Sequence, residues 1–361
     1  MAKEEFDIMK LPSYVWEHLL LPRLDHKEYI RFGAVCKPWN HIAVKNQNPL
    51  PWLMLSFNQY TSTGLFFSLF EAQTYSLKVP QVVSESYCTG STHGDLIMAH
   101  QKQGNFVYNP FSKWSLSLPK QHIPPVDMEE AEPEYVAFYF KKSISLNPRS
   151  CEFVIASLCS NPRLIEISTP NHNEWSLYGT GNFYEKPVYD DFDNDLFKSN
   201  NDAVGLYVIK YGEEEEEGLL MIFRVRDEID TFEVYKFVTI RFYVYRLDRS
   251  ADVAKWVQVK SLGDQMIFLG KNSAISISAK DIPGFKGNCI YFTDDAPVTF
   301  YRGWSSRRPY SDNGVFYLED GRVDSFFPIN FSHPFNAQPA QPVWVIPNKI
   351  PAMGVEAFSL N

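Results

Sequence analysis

Cysteine is scarce in this chain of 361 residues. The five cysteines, Cys36, Cys88, Cys151, Cys159 and Cys289, are an odd number, are scattered along the sequence, and include no Cys-x-x-Cys pair. Disulfide-stabilised secreted domains and zinc modules both depend on regularly spaced cysteines. We therefore expect reduced thiols and no metal site.

Long apolar runs are also missing. No stretch approaches the roughly 18 consecutive apolar residues that a membrane-spanning helix needs, and residues 1–10 are charged, without the apolar centre of a signal peptide. Phosphate-binding loops, H-E-x-x-H helices and G-x-G-x-x-G dinucleotide motifs do not occur in the sequence. We therefore expect a soluble protein of the cytoplasm, the nucleus or both, with no membrane partner, no catalytic residues and no cofactor.

Positive charge is in short supply outside the N-terminal segment. Residues 1–50 carry seven Lys or Arg and six Asp or Glu, a net charge of +1, so the whole-chain charge of −9 leaves −10 for the remainder. A protein with that electrostatic field repels phosphate backbones. The sequence therefore disfavours a nucleic-acid partner.

Aromatic residues, in contrast, are abundant, at 16% of the chain with 28 Phe, 20 Tyr and 8 Trp. Such residues pack well on half-buried pleated surfaces, so the composition favours a mainly β protein. A chain of this length exceeds one ordinary compact domain unless that domain is a barrel or a propeller. A Pro/Asn-rich linker, N-Q-N-P-L-P-W at 46–52, divides the sequence. We predict a small domain at residues 5–47 and a large one at residues 51–361.

The segment at residues 11–46, L-P-S-Y-V-W-E-H-L-L-L-P-R-L-D-H-K-E-Y-I-R-F-G-A-V-C-K-P-W-N-H-I-A-V-K-N, predicts three short helices. Leu11, Val15, Leu19 and Leu20 have the spacing of one helical face. We expect Pro22 to end the first helix. A capping-box pattern at 25–28 marks the start of the second helix, and Pro38 marks the start of the third.

A unit of about 40 residues cannot bury three apolar helical faces by itself, so we expect a partner to cover part of it. The run Y-I-R-F leading to V-C-K-P-W, at 29–39, resembles the F-box, the helical motif that docks on the Skp-family adaptor of SCF ubiquitin ligases. The resemblance covers about residues 8–47, with Trp16 as a departure from the usual pattern. It implies the adaptor, and through it a cullin–RING ligase, as partners. The adaptor-facing surface that it implies consists of Leu11, Pro12, Val15, Leu19, Leu20, Leu24, Ile30, Val35 and Trp39.

Strand-like patterns dominate beyond the linker. The stretch at 95–119, D-L-I-M-A-H-Q-K-Q-G-N-F-V-Y-N-P-F-S-K-W-S-L-S-L-P, predicts three short strands separated by turns. A scheme of a charged residue, a Trp and a short alternating strand occurs there at Trp114 and recurs at Trp175 and Trp256, with a weaker echo at Trp344. Radial repetition lets many antiparallel strands share one architecture without long exposed edges. The sequence therefore predicts a degenerate β-propeller.

Several segments of the second half closely resemble one family. They are S-L-G-D-Q-M-I-F-L-G (261–270), N-C-I-Y-F-T-D-D (288–295), G-V-F-Y-L-E-D-G-R-V (314–323) and P-V-W-V-I-P (342–347). They are similar to the C-terminal domain of plant F-box proteins of the KIB type, although Asp95 stands where those proteins commonly have an aromatic residue. The resemblance implies a mainly β fold, in which a small N-terminal three-helix F-box precedes a degenerate propeller-like domain for substrate recognition.

Three stretches exceed the usual length of propeller loops, at 121–134, 187–201 and 301–314. Aromatic and Arg residues, which are enriched at interface hot spots, alternate in the last of them. We predict a contact with a protein substrate at Tyr301, Arg302, Trp304, Arg307, Arg308 and Tyr310.

The acidic run Glu213–Glu217 lies between two apolar, strand-like runs. Five adjacent carboxylates repel one another and need solvent, so we predict an exposed hairpin tip. Recruitment of a basic partner or an ion is the alternative role for this run.

The sequence thus favours a non-catalytic substrate receptor of an SCF-type (Skp–cullin–F-box) E3 ubiquitin ligase, in which the C-terminal domain recruits a target protein for ubiquitination. Two alternatives remain open at this point. One is a non-catalytic propeller scaffold without adaptor binding. The other is a sugar-processing propeller enzyme, because propellers can assemble catalytic carboxylates that no local spacing reveals.

Overall fold

A computed structural model describes the chain in segments. Apart from positions 93, 101, 272, 273 and 281, the described residues are 11–24, eight positions between 28 and 43, 50–118, 141–147, 152–158, 164–168, 176–179, 203–211, 218–230, 235–250, 255–295, 312–325 and 338–347. Between 141 and 179 the description covers the backbone and not the side chains. The chain forms two compact units, and the boundary between them near the N-terminus falls between Pro49 and Leu50.

The first unit, here called the helical unit, contains the described residues from 11 to 43. A continuous helical segment passes from an α turn (Ser13–Val15) through a π turn (Trp16–Leu20) to a 3-10 turn (Leu21–Arg23). The backbone is helical again at three described positions between 28 and 35, and again at four between 38 and 43. These positions match the second and third predicted helices.

The prediction that Pro22 ends the first helix is wrong by one residue. Pro22 lies inside the 3-10 turn, and the helical segment continues to Arg23. A proline has no N–H to donate to the carbonyl four residues earlier. Directly before the proline, the N–H of Leu21 donates across the wider π turn to the carbonyl of Trp16.

The second unit, here called the β unit, contains 21 strands in five sheets within its described residues. Sheet 1 is formed by β1 (Trp52–Asn58), β2 (Thr63–Ser68), β3 (Gln73–Lys78) and the last strand, β21 (Gln338–Val345). Sheet 2 is formed by β4 (Tyr87–Thr92), β5 (Asp95–His100), β6 (Gly104–Tyr108) and β7 (Ser115–Ser117). A one-turn helix, Gln81–Ser84, connects these two sheets.

The remaining strands form three more sheets. Sheet 3 consists of β8 (Lys141–Asn147), β9 (Glu152–Leu158), β10 (Leu164–Ser168) and β11 (Ser176–Gly179). Sheet 4 consists of β12 (Ala203–Tyr211), β13 (Gly218–Asp230), β14 (Tyr235–Asp248) and β15 (Lys255–Val259). Sheet 5 consists of β16 (Gln265–Leu269), β17 (Ile275–Ser278), β18 (Cys289–Phe292), β19 (Gly314–Tyr317) and β20 (Val323–Asp324).

Sheets 2, 3 and 4 share one antiparallel meander topology, in which each strand pairs with the next along the chain. Sheet 5 differs, because β16 lies between β17 and β18 and pairs with β18 in parallel. The tryptophans of the repeat occupy the same position in each of these sheets, at or just before the start of one strand. Trp114 and Trp175 immediately precede β7 and β11, and Trp256 lies near the start of β15. Each of these is the fourth strand of its sheet.

Two local features of sheet 2 agree with the predicted strands and turns. Gly104 has φ +80° where β5 turns into β6, a conformation that glycine adopts without steric cost. Asn109 forms the next turn, where its Oδ1 accepts the N–H groups of Phe111 and Ser112. The Nδ2 group of Asn109 donates to Oδ1 of the buried Asp95 at 2.8 Å. Asp95 is therefore a hydrogen-bonding core residue at a position where an aromatic residue was expected.

Neighbouring sheets of the β unit share apolar cores, and these cores give the order of four of the five sheets. One core joins sheets 1 and 2 through residues such as Met54 and Leu96, and a second joins sheets 1 and 5 through Leu53 and Phe268. A third core joins sheets 5 and 4. Sheet 3 approaches sheet 2 where β8 lies beside β4. This arrangement is that of a β-propeller, as predicted.

The two ends of the β unit meet in sheet 1. Strand β21 pairs antiparallel with β1, and Leu53 lies opposite Trp344 in the register. The pairing removes an exposed strand edge from both β1 and β21 and joins the last sheet to the first. Among the helices that the structure describes, none is long and apolar enough to cross a membrane.

Candidate functional sites

The helical unit has an aromatic centre of its own. The ring centroids of Trp16 and Trp39 lie 4.7 Å apart, and Phe32 stacks on Trp39 at the same distance. Trp16 and Phe32 are buried, together with Leu21 and Ala43. Trp16, which departs from the usual F-box pattern, is thus a core residue of this unit. The tilted and stacked rings bury a large apolar area within a small unit.

The residues predicted to face the adaptor fall into several groups. Four are partly buried and pack against the buried residues of this unit: Leu11, Leu20, Leu24 and Trp39. Val15 is half-buried, while Pro12, Leu19 and Val35 are exposed. Ile30 lies outside the described residues. The assignment of all nine to an adaptor surface stays a prediction, and the exposed three are the ones that a partner can reach without rearranging the unit.

The β unit contains a buried polar cluster between sheets 4 and 5. It consists of Tyr207 on β12, Arg224 and Arg226 on β13, Thr239 on β14, Asp295 after β18 and Asp312 before β19. Side chains alternate between the two faces of a strand. Arg224 therefore shares a face with Leu220 and Ile222, whose side chains belong to the apolar core between these sheets.

Arg224 is fully buried and uses its whole guanidinium group. Its Nε donates to Oγ1 of Thr239 at 2.7 Å. Its Nη1 donates to the main-chain oxygen of Thr293 at 2.7 Å and to Oδ1 of Asp295 at 3.1 Å. Its Nη2 donates to Oδ2 of Asp312 at 2.9 Å and to the main-chain oxygen of Asp312 at 3.2 Å. A sixth, longer contact of 3.5 Å runs from Nη1 to the hydroxyl of Tyr207, so the five N–H donors of the guanidinium face six acceptor oxygens.

The other members of the cluster complete the hydrogen bonding of both carboxylates. The hydroxyl of Tyr207 donates to Oδ2 of Asp295 at 2.6 Å, and Nη2 of Arg226 donates to Oδ1 of the same residue. The N–H and the hydroxyl of Thr239 donate to the two carboxylate oxygens of Asp312 at 2.8 and 2.7 Å. Buried charges are tolerated when they are paired and hydrogen-bonded in this way.

The electrostatics of the cluster keep Arg224 charged and Tyr207 neutral. Burial by itself disfavours the cation of Arg224, but the oxygens of Tyr207, Asp312 and Asp295 raise its pKa on balance. Burial, reinforced by the charge of Asp295, raises the pKa of Tyr207 to about 12. The aromatic ring of Phe292 also lies 4.6 Å from the guanidinium carbon of Arg224, within the range of a cation–π contact.

Two buried thiols and one half-buried lysine have pKa values shifted from their ordinary range. Burial raises the pKa of the thiols of Cys88 and Cys289 to about 12 in both cases. Burial also lowers the pKa of Lys271 to about 8, against the opposing influence of Cys88 and of the carboxylates that follow β18. Thiols of this kind are poor nucleophiles, because the reactive species is the thiolate.

The predicted substrate contacts lie outside the described residues. This holds for Tyr301, Arg302, Trp304, Arg307, Arg308 and Tyr310, and also for the acidic run Glu213–Glu217. The residues that flank them are described. Tyr211 pairs with Gly218, so the strands on either side of the acidic run form the predicted hairpin. Asp295 and Asp312, on either side of positions 296–311, both belong to the buried polar cluster.

Our reading of the sequence missed the buried polar cluster. A signal was present in the strand L-L-M-I-F-R-V-R, where Arg224 and Arg226 replace apolar residues on one face of an otherwise apolar run. The alternation of side chains between the two faces of a strand would by itself have predicted that Arg224 faces the core. The carboxylate partners of these arginines, however, come from positions about 70 to 90 residues further on, and no local pattern connects them.

The fold defines a β-propeller protein that carries a helical unit at its N-terminal end. A family model described as the KIB1-4 β-propeller matches residues 66–317, which is most of the chain, and the chain belongs to that family. The match confirms the predicted family resemblance and the mainly β, propeller-like fold class.

Named relatives agree with this assignment. An F-box protein of Arabidopsis thaliana is 22% identical over 333 residues, covering 81% of this chain and 84% of the relative. A second F-box protein of the same plant is 24% identical over 338 residues, covering 87% of this chain and 66% of the relative. A third is 46% identical over 85 residues, covering 24% of this chain and 17% of the relative.

Proposed function

We propose that this protein is the substrate receptor of an SCF-type E3 ubiquitin ligase. The helical unit binds a Skp-family adaptor and through it a cullin–RING ligase, and the β unit recruits a target protein for ubiquitination. The receptor itself is non-catalytic and works in the cytoplasm, the nucleus or both. Membership of the KIB1-4 β-propeller family and the F-box names of the relatives support this proposal.

One observation carries the adaptor-binding part of the proposal. The helical unit fills its interior with Trp16, Phe32 and Trp39, yet it leaves Tyr14 and Val35 each 61% exposed and Leu19 41% exposed. Apolar side chains on the surface of so small a unit are costly in water and are typical of a surface that a partner covers. Because the interior is already packed, these exposed residues can contact an adaptor without unfolding the unit.

Co-purification with an adaptor tests this part. The full chain is expressed together with a plant Skp-family adaptor, as wild type and with Leu19→Glu and Val35→Glu combined. We expect the double variant to lower the affinity at least tenfold, because two charges would have to be buried in the interface. The matched control is Val323→Glu, since Val323 is 42% exposed in the β unit. If the wild-type protein does not bind the adaptor, the proposed receptor function is wrong and the alternative, a propeller scaffold without adaptor binding, is favoured.

We propose that the predicted contact residues between Tyr301 and Tyr310 bind the target protein. The experiment identifies candidate targets by proximity labelling with the full chain and then measures ubiquitination of each target. We expect Trp304→Ala combined with Arg308→Ala to abolish ubiquitination and to leave adaptor binding intact, because aromatic and Arg residues dominate most interfaces. Unchanged ubiquitination by this double variant would move the recognition site elsewhere. Fluorescent tagging of the full chain tests the proposed localisation.

A further inference from the structure

The pairing between β13 and β14 changes register beside the buried polar cluster. Val225 lies opposite Arg241, but the next residue, Arg226, lies opposite Thr239. Ile240 therefore has no partner across from it on β13, which is the arrangement of a β-bulge. We call this pairing the bulged register, and we call the pairing without a bulge, in which Arg226 would lie opposite Ile240, the regular register. Because side chains alternate along a strand, the two registers place the residues before the bulge on opposite faces of the sheet.

The bulge buries a polar side chain and exposes an apolar one. Phe242 and Val244 belong to the apolar core shared with sheet 5, so regular alternation would direct Ile240 to the same face. Thr239 occupies that face instead and is 4% exposed, whereas Ile240 is 50% exposed. The hydrophobic effect favours the opposite choice between these two residues. Another interaction therefore holds the bulged register.

The buried polar cluster supplies this interaction at Thr239. The N–H and the hydroxyl of Thr239 donate to the two carboxylate oxygens of Asp312 at 2.8 and 2.7 Å. The same hydroxyl oxygen accepts the Nε–H of Arg224 at 2.7 Å. In the regular register the side chain of Ile240 would take this place, and it offers neither a donor nor an acceptor. Arg224 and Asp312 would then each lose a hydrogen bond in a buried site, where unpaired polar groups are costly.

Phe237 also favours the bulged register. It lies two residues from Thr239, so the two side chains share a face, and it is 4% exposed. In the regular register Phe237 would turn to the other face, opposite Ile229, which is 36% exposed. The polar and the apolar contributions can be separated by experiment, because a change at the hydroxyl of Thr239 leaves the side chain of Phe237 intact.

We propose that the buried polar cluster is a register lock, in which Asp312 and Arg224 select the bulged register of β14 through Thr239. A slip of one residue interchanges the two faces of a strand. The lock therefore decides that Phe237 lies inside and that Ile240 lies at the surface. This role does not depend on the proposed ligase function.

Hydroxyl-radical footprinting of the full chain tests the lock, because the modification rate of a given side chain rises with its exposure to solvent. Thr239→Val keeps the shape of the side chain and removes the hydroxyl that bonds to Asp312 and Arg224. We expect the modification rate of Ile240, divided by that of Phe237, to fall about tenfold in this variant. The regular register buries Ile240 and exposes Phe237, whereas general loosening of the fold would raise both rates.

Thr239→Ser is the matched control, because it keeps the hydroxyl and should keep the wild-type ratio. Asp312→Asn changes the other side of the same contact and should move the ratio in the same direction as Thr239→Val. Tyr60, which is 73% exposed between β1 and β2, gives a reference rate for each protein. If Asp312→Asn fails to fold, the comparison of the two Thr239 variants decides.

Three results would overturn the proposal. The first is an unchanged ratio in Thr239→Val. The second is a rise of both rates in Thr239→Val, which would show loosening without a change of register. The third is the same fall of the ratio in Thr239→Ser as in Thr239→Val, because the hydroxyl would then not be the group that selects the register.

Discussion

Trp344, on the last strand, donates its indole N–H to the main-chain oxygen of Leu269 at 3.2 Å, 75 residues earlier in the chain. Its ring is fully buried and meets the ring of Phe268 edge-on, with the centroids 5.2 Å apart. The hydroxyl of Ser91 on β4 donates to the main-chain oxygen of Trp344. One residue of sheet 1 thus bonds to sheets 2 and 5, which lie on either side of it.

We expect Trp344→Ala to lower the free energy of unfolding of the β unit by about 3–5 kcal/mol, because it leaves a large cavity where three sheets meet. Trp344→Phe should cost less, since it keeps an aromatic ring and loses the bond to Leu269. Denaturant-induced unfolding followed by fluorescence measures both values. Val323→Ala, at an exposed position, is the control. A cost below about 1 kcal/mol for Trp344→Ala would contradict the role assigned to Trp344 in joining sheet 1 to sheets 2 and 5.

Trp39→Ala should weaken adaptor binding by about 2 kcal/mol or more, as expected for a Trp at an interface. Trp39 also stacks on Phe32 inside the helical unit, so the variant should lose helical structure at the same time. Circular dichroism of the full chain, measured beside the adaptor affinity, separates the two effects. Full adaptor binding by Trp39→Ala would show that the assignment of Trp39 to the adaptor surface is wrong.

Replacing Glu213–Glu217 with a Gly-rich turn of the same length should leave the melting temperature nearly unchanged. The flanking strands are already in register, with Tyr211 opposite Gly218, and five adjacent carboxylates gain little from mutual contact. Differential scanning calorimetry of the two proteins is the measurement. A large drop in melting temperature would mean that the acidic run makes ion pairs that stabilise the fold.

The stability of the β unit should contain a pH-dependent contribution from its buried thiols. The pKa of Cys289 is raised to about 12 in the folded protein, whereas a thiol in the unfolded chain ionises near 9. Above pH 9 the unfolded state therefore binds fewer protons than the folded state. The contribution is fully present below that pH and is lost as the pH rises toward 12.

Comparison with Cys289→Ala isolates this effect. The pKa of Lys271 is lowered in the folded protein, so Lys271 contributes to the pH dependence with the opposite sign between about pH 8 and 10. That contribution is present in both proteins and cancels in the difference. Between pH 8 and 11 the wild type should lose about 2 kcal/mol more of its free energy of unfolding than the variant does. Guanidinium unfolding at both pH values gives the difference. Equal losses in the two proteins would mean that Cys289 is accessible to solvent.

The sequence by itself determined the class of this fold. Aromatic content, alternating runs and turn residues such as Gly104 and Asn109 specify strands locally, because a backbone turn or a half-buried face needs particular side chains at particular positions. The same holds for the tryptophan repeat, which marks the fourth strand in sheets 2, 3 and 4. The helical periodicity near the N-terminus and the family resemblance could also be recognised from the sequence, because each depends on residues that are neighbours in the chain.

The tertiary structure decided which distant residues meet. In the sequence, the two arginines of β13 look like ordinary polar residues in an apolar strand. Only the fold shows that Asp295 and Asp312 bind Arg224. Leu19 and Val35 could likewise be recognised as exposed only from the structure, in which Trp16 and Phe32 fill the interior of the helical unit. Burial and ion pairing are properties of a side chain's surroundings in space. Sequence periodicity reports the face on which a residue lies, and it does not report what packs against that face.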